Sequence, residues 1–124
     1  MARVRAILGL VASLFLILSS AAHSFLGWDR MRDQLAAAQA PPDLAFGVKV
    51  GWLFGGVAML AFGLILLALF VRRFRGESAS SLPAVVVAAA YLGFGVWAMF
   101  ASDFDPFFVI FIVPGVLLLV ASQR

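Results

Sequence analysis

Residues 50–71, VGWLFGGVAMLAFGLILLALFV, run without a single acidic or basic side chain and are followed at once by Arg72 and Arg73. A helix rises about 1.5 Å per residue, so this stretch reaches about 33 Å, enough for a hydrocarbon core about 30 Å thick. Its apolar residues do not alternate, which excludes a strand of a membrane barrel and leaves a helix as the one form that satisfies its own backbone in lipid.

Comparable uncharged runs occupy residues 6–28, 78–102 and 106–123. Together they predict an all-α integral membrane four-helix bundle, up-down-up-down, in a single transmembrane domain covering 1–124, with spans near 6–27, 46–71, 82–102 and 106–123. Composition agrees. Hydrophobic residues make up 65% of the chain and charged residues 12%, with mean hydropathy +1.11, more apolar surface than a soluble domain of this size buries.

The segments between the runs carry boundary signals. Asp105-Pro106 reads as an N-cap followed by proline at the first helical position, and Ser81 with Pro83 opens the third span in a similar way. Pro114-Gly115 predicts a kink in the fourth span without a break, because proline removes the bond to the Ile110 carbonyl. Trp28, Met31, Leu35 and Ala38 share one helical face opposite Asp29, Arg30, Asp33 and Gln34, which predicts a short interfacial helix between the first and second spans. Pro41-Pro42 ends it, Asp43 is placed to cap the second span, and Lys49 falls about two turns inside that span. The amino terminus has a rival reading as a secretory signal, with Arg3 and Arg5 before an apolar segment and cleavage before His23.

Positive charge orients the layout. Arg3, Arg5, Arg72, Arg73, Arg75 and Arg124 fall on one side of four crossings, and Arg30, Arg32 and Lys49 on the other. The richer side is cytoplasmic by the positive-inside rule, which places both termini there. The compact, arginine-rich, cysteine-free chain suggests a bacterial cytoplasmic (inner) membrane. Arg72, Arg73 and Arg75 are expected to meet lipid headgroups. Trp28, Trp52 and Trp97 collect toward the outer leaflet, the usual level of interfacial indoles. Phe104, Phe107, Phe108 and Phe111 form an aromatic stripe near the same level.

Gly47, Gly51 and Gly55 recur every four residues, with Gly63 further along and Gly93 in the third span, the small-residue pattern that lets helices approach closely. An intramolecular partner is the expected use, ahead of a dimer seam. Ser13 and Tyr91 fall at comparable depth, so their hydroxyls either pair or Ser13 bonds back to the Gly9 carbonyl.

Chemistry is sparse. The absence of cysteine excludes disulfides, thiol catalysis and thiolate metal sites. The clustered charges do not form the basic face of a nucleic-acid binder. No carboxylate lies within a span, which weighs against a proton-coupled exporter of the small four-helix type. What remains is His23, with Ser19 and Ser20 one turn behind it and Lys49, Trp52 and Asp103 expected at the same depth, a candidate outward-facing pocket. No metal or cofactor is expected, and acid–base catalysis lacks partnered groups. The expected role is an accessory or scaffolding subunit of a membrane assembly, or a homo-oligomer. The alternative is a binder or carrier of a small or lipid-like molecule near His23.

Overall fold

The computed structural model describes residues 1–123, and among them there are helices and no strand. The elements are α1 (Ala2–Ala22), a π-helical turn (His23–Gly27), α2 (Trp28–Ala37), α3 (Pro42–Phe74), α4 (Leu82–Ala101), a 3-10 turn (Pro106–Phe108) and α5 (Val109–Ser122). Three helical stretches, Ala2–Ala37, Pro42–Phe74 and Leu82–Ala101, are long and apolar enough to cross a membrane; Pro106–Ser122 is apolar but shorter.

The proline signals set real boundaries. Pro42 opens α3 behind an extended Pro41 at φ −55° and ψ 143°, where its fixed φ suits a first helical residue and its missing N–H costs nothing. Asp43, expected as the cap, stands inside the first turn and makes no capping hydrogen bond. Its charge still lies at the favourable end of the helix dipole. Asp105 does cap: its carboxylate accepts from the Phe107 N–H at 2.9 Å. Ser81 is the N-cap of α4 and Pro83 stands in its first turn, as expected, while the hydroxyl that accepts from the Leu82 N–H, at 3.2 Å, is that of Ser80. Pro114 lies buried within an unbroken α5.

One boundary agrees with expectation and one needs correction. The second helix begins at Pro42 and extends 33 residues, so Lys49 lies about two turns inside it. The short helix between the first two spans exists as α2, but it is not a separate interfacial element. Backbone conformation stays helical from α1 through His23–Gly27 into α2, and a single 36-residue rod results.

Small residues let the helices approach, and a few large ones fill the space between them. α1 lies against α3 on one side and α5 on another, α5 holds α4, and α3 meets α4 only slightly. Ala12, Leu16, Leu66, Phe70, Ala84, Ala88, Leu118 and Ala121 are fully enclosed between the helices. A side chain on Gly9 would run into the Phe70 ring, and one on Gly63 would come within 3.2 Å of the Ser13 carbonyl. Outside, the pattern reverses. Leu18, Phe54, Trp97 and Phe100 are all more than 60% exposed, and only 33%, 28% and 33% of the most apolar windows of the three long helices are buried within the chain. Large apolar side chains thus dominate the outer surface, while the enclosed set mixes alanines with Leu16, Leu66, Phe70 and Leu118.

At one end the chain closes on itself. The Arg73 guanidinium at the end of α3 donates to the Ala121 carbonyl of α5 at 3.2 Å and to the Ala79 carbonyl ahead of α4 at 3.0 Å. The ends of α3 and α5 and the approach to α4 are thus at one level.

Candidate functional site

His23 and Trp52 face each other where α1 passes into the π-helical turn. The imidazole Nε2–H donates to the Trp52 carbonyl at 3.0 Å; since a carbonyl only accepts, this contact puts a proton on Nε2. In return the Trp52 indole N–H donates to the His23 carbonyl at 2.7 Å. The two rings stack with centroids 4.5 Å apart and planes 4° from parallel. The result is a reciprocal clasp between residues 29 apart in sequence. The wider turn at His23–Gly27 loosens the regular i→i−4 ladder there, and π-turns inside α-helices recur where a helix serves a local purpose.

Glycine makes room for the clasp. A Cβ on Gly27 would lie 3.0 Å from the Trp52 ring, and one on Gly55 would lie 3.2 Å from the His23 Nε2. Gly56 is closed over by Ser24, whose hydroxyl would collide with any side chain there. Just beyond, the Lys49 ammonium sits over the Trp28 ring at 5.8 Å, a modest cation–π contact on an exposed residue.

Of the six residues expected to share a pocket, the structure joins only His23 and Trp52. Ser20 turns back to the Ile17 carbonyl at 2.8 Å, and Ser19 contributes its carbonyl to the His23 backbone N–H. Lys49 is exposed and engaged with Trp28. Asp103 lies exposed in the turn between α4 and α5 at φ +53°, with no hydrogen bond or ion pair to the other five. No group of three metal-ligating side chains forms among the described residues.

The glycines divide. Gly55 and Gly63 lie against α1 and its π turn, whereas Gly47, Gly51 and Gly93 have open space where a side chain would stand. The close approaches that sequence reasoning passed over are Gly27, Gly56, Gly95 and Gly115, the last two packing α4 against α5 through Ile112 and Leu92. The adjacent pair Gly55-Gly56 was the signal available for Gly56. Ser13 donates to the Gly9 carbonyl at 2.7 Å and makes no bond to Tyr91, which is buried beside Phe111.

The arginines are similarly divided. Arg73 donates to the two carbonyls and lies over the Phe70 ring face at 5.7 Å. Arg72 pairs with Glu77 at 3.0 Å. Arg75, at the end of α3, is exposed. Of the aromatic stripe, Phe108 and Phe111 stack at 6.3 Å, and Phe104 contacts Phe100 instead.

Comparison with known families, characterised proteins and solved structures yields no match for this chain.

Proposed function

We propose that this chain is a four-span protein of the bacterial inner membrane, an up-down-up-down bundle with both termini cytoplasmic, which works through its helix faces as an accessory or scaffolding subunit of a membrane assembly or as a homo-oligomer. The outward-facing Leu, Phe and Trp side chains support residence in lipid, since water would charge about 25 cal/mol for every Å² of that surface. Four crossings are supported by the meeting of Arg73, Ala79 and Ala121 at one end, which makes α5 return the full length that α4 travels. The 3-10 turn helps, because it rises about 2 Å per residue against about 1.5 Å for the α-helix.

The observation that carries the functional reading is the clasp. His23, the group best suited to chemistry, has its ring committed to Trp52, so it serves to hold α1 to α3. A small molecule seeking that position would have to displace the indole. By contrast the α3 surface at Gly47 and Gly51 is uncovered, with nothing within 4 Å of where a side chain would stand, which leaves room for another helix to approach closely at that end of α3.

Purification from native membranes in mild detergent tests the reading. A partner in fixed stoichiometry, or a defined oligomer, is expected, and Gly47→Leu with Gly51→Leu should disperse it without lowering the unfolding temperature. A monomer that carries a bound small molecule and no partner would overturn it.

A further inference from the structure

The end of the molecule closed by Arg73 holds an open cleft of about 610 Å³, whose polar lining comprises Arg5, Arg73, Glu77, Ser78, Ser80 and Gln123. Glu77, at the rim, is paired with Arg72 at 3.0 Å. Arg73 is held only by neutral groups, two carbonyls and an aromatic face, with no carboxylate partner among the described residues. Those contacts fix the guanidinium in place and leave further N–H donors and a full positive charge, of which the carbonyl dipoles offset only part. Neither α1 nor α4, both of which begin beside the cleft, places an acid in its first turn.

Hydroxyl donors complete the lining. Ser80 already accepts from the Leu82 N–H, so its own proton is free to donate outward, and Ser78 is exposed beside it. A rigid arginine with hydroxyls around it matches an oxyanion bearing several acceptor oxygens.

We propose that this cleft binds a phosphate group, with the phosphodiester of an anionic lipid headgroup as the source that the four-span reading puts at this level. The anion chemistry stands on the cleft alone; only the lipid as source rests on the proposed topology. Arg73 positions the phosphate, and Ser78 and Ser80 complete its coordination.

The purified full chain in detergent, free of added lipid, provides the test. Phosphatidylglycerol should raise its unfolding temperature and remain bound in native mass spectrometry, while phosphatidylcholine should do neither. Inorganic phosphate acting in place of the lipid would support the anion site and make its source soluble. Ser78→Ala with Ser80→Ala should weaken the lipid effect several-fold, and Arg73→Gln should abolish it. Because Arg73→Gln also loosens the fold, the serine pair decides if that variant fails to fold. Arg75→Gln, outside the cleft, should change nothing. Equal responses to the two lipids, or an Arg75→Gln loss as large as that of the serine pair, would overturn the proposal. Residue 75 labelling from the cytoplasm while phosphatidylglycerol has no effect would sink the cleft and leave the topology standing.

Discussion

Trp52 both stacks on His23 and donates to its carbonyl, and the two contributions are separable. Trp52→Phe keeps an aromatic face and removes the N–H, which should cost about 1 kcal/mol, the usual net value of one hydrogen bond; reversible unfolding in detergent would read it, and an unchanged stability would mean that the bond contributes nothing. The glycines on the same helix give a sharper contrast. Gly63→Ala drives a methyl toward the Ser13 carbonyl and the Ile17 backbone nitrogen, at 3.2 and 3.1 Å, neither of which can swing aside, so a loss of about 1–3 kcal/mol is expected from overpacking. Gly47→Ala meets open space and should stabilise by up to about 1 kcal/mol, because alanine favours the helix. The sequence shows both glycines in one four-residue rhythm, yet that rhythm could not tell them apart. Each step of four advances about 400°, or about 40° past a full turn, so four steps carry Gly63 about 160° around from Gly47. Gly56 and Gly63, seven apart, differ by only about 20° and share the face that α1 covers.

Helix ends were the most legible part of the chain, because their chemistry is local. Pro41-Pro42 and Asp105-Pro106 mark true starts. Three helices also stop in the left-handed conformation, at Gln39 (φ 51°), Gly76 (φ 83°) and Asp103 (φ 53°). At Gln39 the Ala40 N–H returns to the Leu35 carbonyl at 2.9 Å, and at Gly76 the Glu77 N–H returns to the Arg72 carbonyl at 3.0 Å, the paired bonds of a Schellman ending. Glycine enters this conformation freely and other residues at a cost of about 1–2 kcal/mol. Gln39→Gly should therefore stabilise by about 1 kcal/mol and Gly76→Ala should destabilise by a similar amount, a pair of opposite signs that thermal unfolding would resolve. The π turn at His23–Gly27 was not legible. It leaves no mark in composition, and it coincides with a clasp whose other half lies 29 residues away. Missing it made α2 look like an independent interfacial helix. That the candidate pocket residues other than His23 and Trp52 have other neighbours was illegible for a related reason: counting residues gives depth along each helix, but not rotation or which helices are neighbours.

On the scale of the whole molecule, the helices differ in length while one end is nearly level. α3 has 33 residues and α4 has 20, about 50 Å against about 30 Å at the α-helical rise. Arg73 ties the end of α3 to Ala121 and Ala79, so the excess of about 20 Å must emerge at the opposite end. Under the four-span reading α4 alone fills the hydrocarbon thickness of about 30 Å, and α2 with the first turns of α3 stands beyond it as a helical hairpin carrying Asp29, Arg30, Arg32 and Asp33. The chain contains no cysteine, so single cysteines can be introduced into the native background and labelled with a membrane-impermeant maleimide. Gln34→Cys and Asp103→Cys should react from outside the cell, Arg75→Cys and Gln123→Cys only after the membrane is opened, and Val57→Cys, in the outward apolar face of α3, in neither case. Gln123 separates four crossings from three, because α5 is the short helix: if it lay outside the bilayer, residue 123 would label with Asp103. Its placement with Arg75 is expected because a guanidinium two residues before Arg75 already reaches the carbonyl two residues before Gln123, a distance that no bilayer can separate.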